Sequence, residues 1–121
     1  MSTLKSKVLE IGEMAYFEDY PILILFNNSA PDGIREISII HEFESEPSDE
    51  ILKVGSKLVM GGTSYTVEEL GYVANKNFKE LGHLSIYFKL EEGAELLPGA
   101  VRVSPHNIPR INAGDTLMFI K

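Results

Sequence analysis

Ile37-Ser38-Ile39-Ile40-His41-Glu42-Phe43-Glu44 alternates apolar and polar residues with a period close to two, the spacing of a β-strand with one covered and one open face. Ile37, Ile39, His41 and Phe43 fall on one face, and Ser38, Ile40, Glu42 and Glu44 on the other. An imidazole therefore stands in an apolar row, and the carboxylates on either side of it in the strand point away from it. A neutral imidazole is a nucleophile that titrates near physiological pH, so His41 is a candidate reactive group. The same pattern fits a core histidine satisfied by a backbone carbonyl, and the strand taken alone favours that plainer reading.

Upstream of this strand, Thr3 to Ile11 reads as a first strand carrying Leu4, Val8, Leu9 and Ile11, ended by Gly12. Glu13 to Tyr20 reads as a loop or a single helical turn. The continuous apolar run Ile22-Leu23-Ile24-Leu25-Phe26 suits a strand covered on both faces. Asn27 to Gly33 is a dense turn signal leading through Arg35 into the His41 strand.

Downstream, Glu44 to Glu50 reads as an acidic, solvated loop. Leu52 to Met60 is a strand broken at Gly55, and Gly61-Gly62 joins it to Tyr65-Thr66-Val67 as a hairpin. A glycine pair can also cradle phosphate, but no Gly-Lys-Ser/Thr follows it. Glu68 to Leu81 holds the helix candidate, with Asn75 as its cap, Phe78 and Leu81 on one face, and Gly82 as its stop. Leu84 to Leu90 alternates so that Leu84, Ile86, Phe88 and Leu90 face the core. His83, Ser85, Tyr87 and Lys89 then face away. Val101 to Val103 and Leu117 to Ile120 complete the set. Leu52 to Met60 echoes Ile111 to Phe119: in each, an aliphatic residue, two spacers and a glycine turn precede a strand. That echo is too short for a repeat protein but suits a recurring corner of a barrel. The expectation is an all-β single domain over residues 1–121: a mostly antiparallel small β-barrel of about seven strands, with one short helix ending near Gly82.

Composition removes several functions. The 121 residues carry 11 basic against 18 acidic side chains, a net charge of −7, which disfavours nucleic acid and anionic membrane as partners. Without cysteine there is no disulfide, thiol chemistry or Cys-ligated zinc. The chain shows no signal peptide and no apolar run near 18 residues, which predicts a soluble cytoplasmic protein. His41, His83 and His106 show no HxH or HxxxH spacing for a metal, and no GxSxG elbow is present. A small metal-dependent enzyme using His41 and His83 with carboxylates, and a non-catalytic interaction module, both stay open on residue types alone.

Three segments together resemble the glucitol/sorbitol-specific IIA component of the bacterial phosphoenolpyruvate-dependent sugar phosphotransferase system (PTS). They are Ala30-Pro31 followed by the hydrophobic strand ending in His41; Asn77-Phe78-Lys79-Glu80-Leu81-Gly82-His83-Leu84 with a strand directly behind it; and Pro98-Gly99-Ala100-Val101-Arg102-Val103 followed by Ile111, Gly114, Leu117 and Phe119. The resemblance runs over nearly the whole chain. It implies a phosphocarrier that takes a phosphoryl group from the protein HPr on a histidine. The group then passes to the IIB unit of the glucitol/sorbitol permease, with no cofactor and no metal. By the same resemblance His41 matches the phosphoacceptor and carries phosphate on Nε2, and His83 matches a histidine in a supporting role. Relatives with a second histidine two residues on have it where this chain has Phe43. Arg35, Lys53 and Arg102 are the candidate cations for the phosphoryl charge. An acidic small barrel with exposed strand edges is also expected to pair with a second copy as a homodimer.

Overall fold

The alternating runs close into a barrel of eight strands in the computed structural model, which describes residues 3–17, 20–90 and 93–121. The elements are β1 (Thr3–Ile11), β2 (Ile22–Phe26), α1 (Asp32–Arg35), β3 (Ile39–Phe43), β4 (Lys57–Met60), β5 (Thr63–Leu70), α2 (Ala74–Leu81), β6 (Leu84–Tyr87), β7 (Ala100–Ser104) and β8 (Thr116–Ile120). Around the barrel the order is β1-β3-β2-β6-β7-β5-β4-β8, with β8 pairing back onto β1. All neighbours are antiparallel except β2–β3 and β6–β7. The all-β reading and the barrel therefore hold, with eight strands against about seven expected. Closure pairs every strand on both sides, so the strand-edge argument for a homodimer finds no edge to act on.

Alternation fills the interior. Leu4 and Val8 of β1, Leu23 and Leu25 of β2, Ile39 of β3, Leu58 and Met60 of β4, Leu84 and Ile86 of β6, and Leu117 and Phe119 of β8 are all buried in one cluster. Ile40, on the opposite face of β3, packs outside the barrel against Phe26 and Ala30. This explains why the β3 stretch is apolar on more than its inward row.

The echo between residues 52–60 and 111–119 marks an approximate twofold in the barrel. Gly55 (φ +93°) and Gly114 (φ +95°) occupy matching corners. Each donates its amide to a valine carbonyl, Val67 and Val8, at 2.9 and 2.8 Å. Each of those valines donates back to the residue after the glycine, Ser56 or Asp115. Both valines then open a β-bulge, in β5 and in β1. Further along, Gly12 and Gly71 also correspond. A Cβ on either would lie within 2.4 Å of backbone carbonyl oxygens, those of Arg35 and Glu36 for Gly12 and those of Leu97 and Pro98 for Gly71. Parallel pairs β2–β3 and β6–β7 are matched in the same way.

The helices differ from expectation at their starts. Glu68 to Leu70 finish β5, and α2 begins only at Ala74, with Val73 at its N-cap and no side-chain cap. Asn75 has other work: its amide clamps the Leu52 backbone, accepting from N at 2.9 Å and donating to O at 2.8 Å. The stop at Gly82 is as expected, with φ +62° and its amide bonded to the Phe78 carbonyl at 2.9 Å. A short helix, α1, forms within the turn-rich Asn27–Gly33 region and its continuation. Residues 52–56 form a turn before β4, shortening the strand expected there. The described part of Glu13 to Tyr20 is turn; Glu18 and Asp19 lie outside the described residues. No described helix is long and apolar enough to cross a membrane.

Candidate functional site

β3 carries His41 to the inward face, as its alternation requires, and the side chain is fully covered. Both ring nitrogens are engaged. Nδ1 lies 2.8 Å from Ser6 Oγ on β1, and Nε2 lies 2.7 Å from the Gly82 carbonyl oxygen. A carbonyl only accepts, so Nε2 carries the proton, and in the neutral ring Nδ1 accepts from the Ser6 hydroxyl. Burial lowers the His41 pKa below 6.5, and the bond to Gly82 opposes that shift without cancelling it. The ring is therefore neutral at pH 7. Phe78 of α2 stacks on it at 6.1 Å and 18°, Phe43 meets it edge-on at 5.1 Å, and Phe119 lies at 6.3 Å. Glu42 is exposed on the outer face.

Gly82 is where α2, β2 and His41 meet. The Asn27 amide, at the end of β2, donates to the Leu81 carbonyl at 2.9 Å. A Cβ at Gly82 would stand 3.0 Å from Asn27 Cβ and 3.2 Å from His41 Nε2, on a backbone with φ +62°. Gly82→Ala is therefore expected to cost about 1–2 kcal/mol in urea unfolding and to move the His41 ring signals in NMR. Unmoved ring signals would break the link drawn between Gly82 and Nε2.

A shallow depression of about 290 Å³ is lined by Asn27, Asn28, Ser29, His41, Glu42 and Phe43. Asn27 Oδ1 shapes its lip by accepting from the Ser29 amide and hydroxyl. Arg35 anchors the same loop, donating to Asn28 O at 2.7 Å and Asn28 Oδ1 at 3.1 Å, and pairing with Glu10 at 2.8 Å. Of the three candidate cations Arg35 alone is tied to this loop. Arg102 pairs with Glu69 at 3.0 Å between β7 and β5, and Lys53 is exposed in the turn before β4. A larger depression of about 590 Å³ lies between residues 46–50 and α2, is rich in carboxylates, and contains no histidine.

His83 follows Gly82 directly, so it is within one residue of the carbonyl that holds His41. It is half-buried, its ring 5.1 Å from Phe26, and its Nδ1 is buried without a described partner. Burial lowers its pKa, and the Leu25 carbonyl opposes this. His106 is exposed, beside Glu69, Lys89 and Arg102, away from the other two. Among the described residues no three His, Asp or Glu side chains are grouped to hold a metal.

Sequence reasoning missed Ser6, the Gly82 carbonyl and Phe119. Ser6 had a signal: it stands between Leu4 and Val8 in the inward row of β1, a polar residue in an apolar stripe. The approximate twofold lets the two halves of the barrel be compared position by position. Val8 pairs with His41 in β1–β3, and its counterpart Val67 pairs with Val103 in β5–β7. His41 thus corresponds to Val103, and Ser6 to Tyr65, whose hydroxyl donates to the Asn107 carbonyl at 2.7 Å. The architecture accepts valine where the first half holds an imidazole, so packing alone does not call for His41.

Residues 3–118 match the family model described as "PTS system glucitol/sorbitol-specific IIA component". The chain belongs to this family. It is 33% identical to the PTS glucitol/sorbitol-specific EIIA components of Escherichia coli K12 and Shigella flexneri, over 81% of this chain and 77% of each relative. The crystal structure of a PTS system IIA component from Enterococcus faecalis V583 superposes with a TM-score of 0.88 at 28% identity, covering 97% of this chain and 99% of that one. As a PTS IIA family member the chain has a phosphotransfer role and works with other PTS components.

Proposed function

We propose that His41 accepts a phosphoryl group from HPr and passes it to the glucitol/sorbitol-specific IIB unit. The observation that carries this reading is the buried His41–Ser6 pair, set at a barrel position that the same architecture fills with valine in its other half. Family membership supplies the reaction class. The neutral ring suits a nucleophile, and its apolar surround excludes water from a labile N–P bond. Nε2 faces the end of α2 at Gly82, so it is the nitrogen a partner's phosphoryl group would reach once that end moves. In the resting protein the Gly82 carbonyl covers it, so transfer requires the α2 end to move off the ring. Arg35, tied to Asn28, is the cation best placed for the incoming charge, as phosphoryl transfer rests on positioning and charge stabilisation.

The test is phosphorylation with phosphoenolpyruvate, its HPr-specific kinase and HPr, followed by site mapping. Label on His41 supports the reading. A chain that takes no label favours the interaction module, in which His41 is only a satisfied core residue.

His83 is assigned a supporting role, through its place beside the carbonyl that must move. His83→Ala is expected to slow transfer from HPr several-fold while the far-ultraviolet circular dichroism stays unchanged. Identical kinetics in stopped-time labelling would remove His83 from the site.

A further inference from the structure

Ser6 is a fully buried serine in an otherwise apolar inward row, and its hydroxyl meets His41 Nδ1 at 2.8 Å. We propose that Ser6 is a positioning residue for the relay: its hydroxyl donates to Nδ1 in the resting ring and turns to accept the Nδ1 proton when Nε2 carries phosphate. The proposal rests on the reading of His41 as phosphoacceptor.

The resting ring is in the wrong form to attack through Nε2. That nitrogen bears a proton aimed at the Gly82 carbonyl, and the lone pair in the ring plane is on Nδ1, facing Ser6. Attack through Nε2 needs the proton on Nδ1 instead. A hydroxyl both donates and accepts. Ser6 can therefore serve the two ring forms by rotation about its C–O bond, with no movement of β1, whereas the Gly82 carbonyl can serve only one. The exchange takes place before the donor docks, while the α2 end is off the ring: Nε2 gives a proton to solvent and Nδ1 takes one up, and docking of the donor then excludes water. The Nε2 lone pair then attacks phosphorus of the donor phosphohistidine. The new N–P bond forms as the donor's N–P bond breaks, and that bond's electron pair stays on the donor nitrogen. In the phosphorylated ring the Nδ1 proton is donated to Ser6 Oγ. On onward transfer the N–P electron pair returns to Nε2, and the proton held at Nδ1 keeps the ring a good leaving group.

The hydrogen-bonding and aromatic side chains against the ring are Ser6 from β1, Phe43 from its own strand, Phe78 from α2 and Phe119 from β8. None of these titrates near neutral pH. His83, beyond Gly82, is the nearest titratable residue along the chain on that side. A change in the pH profile on altering Ser6 therefore reports on the Ser6–His41 bond.

The experiment compares Ser6→Ala, Ser6→Thr and His41→Ala in the full chain, charged by HPr, its kinase and phosphoenolpyruvate. Ser6→Ala is expected to fold and still take label on His41. Return of the phosphoryl group to HPr should slow by about ten- to a hundredfold, and its pH profile should move about one unit to acid, the effect of losing a hydrogen bond to a charged ring. Ser6→Thr, which keeps the hydroxyl, should restore both. Nitrogen-15 NMR of the unsubstituted protein should show the proton on Nε2 at rest and on Nδ1 after phosphorylation. That measurement decides the matter even if Ser6→Ala does not fold. An unshifted profile in Ser6→Ala, or phosphate found on Nδ1, overturns the role of Ser6 while leaving His41 as the acceptor. Label that persists in His41→Ala overturns the acceptor itself.

Discussion

His41→Ala is expected to accept no phosphoryl label from HPr, and its unfolding free energy to lose part of its pH dependence. The first effect is complete because His41 alone accepts the group in this reading, with His83 supporting the transfer and not taking the phosphoryl group itself. The chain has no cysteine, His106 is on another part of the surface, and the Ser6 hydroxyl has no base other than the ring that would be removed. Label remaining on His83 or on a hydroxyl would reject the acceptor assignment. An N–P bond is labile in acid and survives mild base, unlike a serine ester, so the two kinds of label separate chemically. His41→Val is the folding control, since Val103 fills the corresponding place in the second half of the barrel.

The second effect follows from linkage. Burial lowers the His41 pKa in the folded state, so as pH falls through 6.5 the unfolded chain takes up a proton that the folded chain resists. Below that pH the folded state is disfavoured, and stability rises with pH wherever the unfolded state binds more protons. The loss begins as pH falls through the unfolded value and ends at the folded one. For one histidine the slope is at most about 1.4 kcal/mol per pH unit. His83, also lowered, contributes in the same direction but more weakly because it is only half-buried. Urea unfolding of His41→Ala between pH 7.5 and about 5 should therefore show a shallower slope than the parent. An unchanged slope would mean that the buried ring titrates as it does in water.

The barrel was legible because most of its strands alternate over at least part of their length. β1, β3, β6 and β8 each show an inward row that a period of two exposes. Helix starts were not, because α2 opens at Val73 without the side-chain signal that marks most helix starts, and Asn75, which looked like that signal, bonds to Leu52 instead. His41 was legible as an imidazole in an apolar row; its partners were not. Gly82 bonds it through a backbone carbonyl, which no residue type announces, from a position far along the chain. Ser6 was visible only as an interruption between Leu4 and Val8. The short echo around Gly55 and Gly114 carried more than its length suggested. It marks matching corners of an approximate structural twofold, where the glycine turn and the valine bulge require the same residue types.

Phe78→Ala is expected to lose about 3–5 kcal/mol of stability, the cost of emptying a buried aromatic site. Phe78 is fully covered and ties α2 to the barrel core. Its ring meets Phe119 at 4.8 Å and Phe43 at 5.0 Å, both edge-on, and stacks on His41 at 6.1 Å. One side chain thus joins α2, β3 and β8, and the neighbours cannot collapse into the space without breaking the strand register that holds them. A small domain has roughly 5–15 kcal/mol in total, so the variant should unfold at much lower urea with an unchanged dependence on denaturant. The same void sits against the imidazole. Water entering it relieves the desolvation that lowers the His41 pKa, so the ring should titrate closer to 6.5 in NMR. Phe78→Leu, which refills most of the volume, should recover most of the stability and leave the pKa low. A loss below about 1 kcal/mol in the alanine variant would show that α2 is not held by this cluster, since a packed aromatic core residue costs several times that.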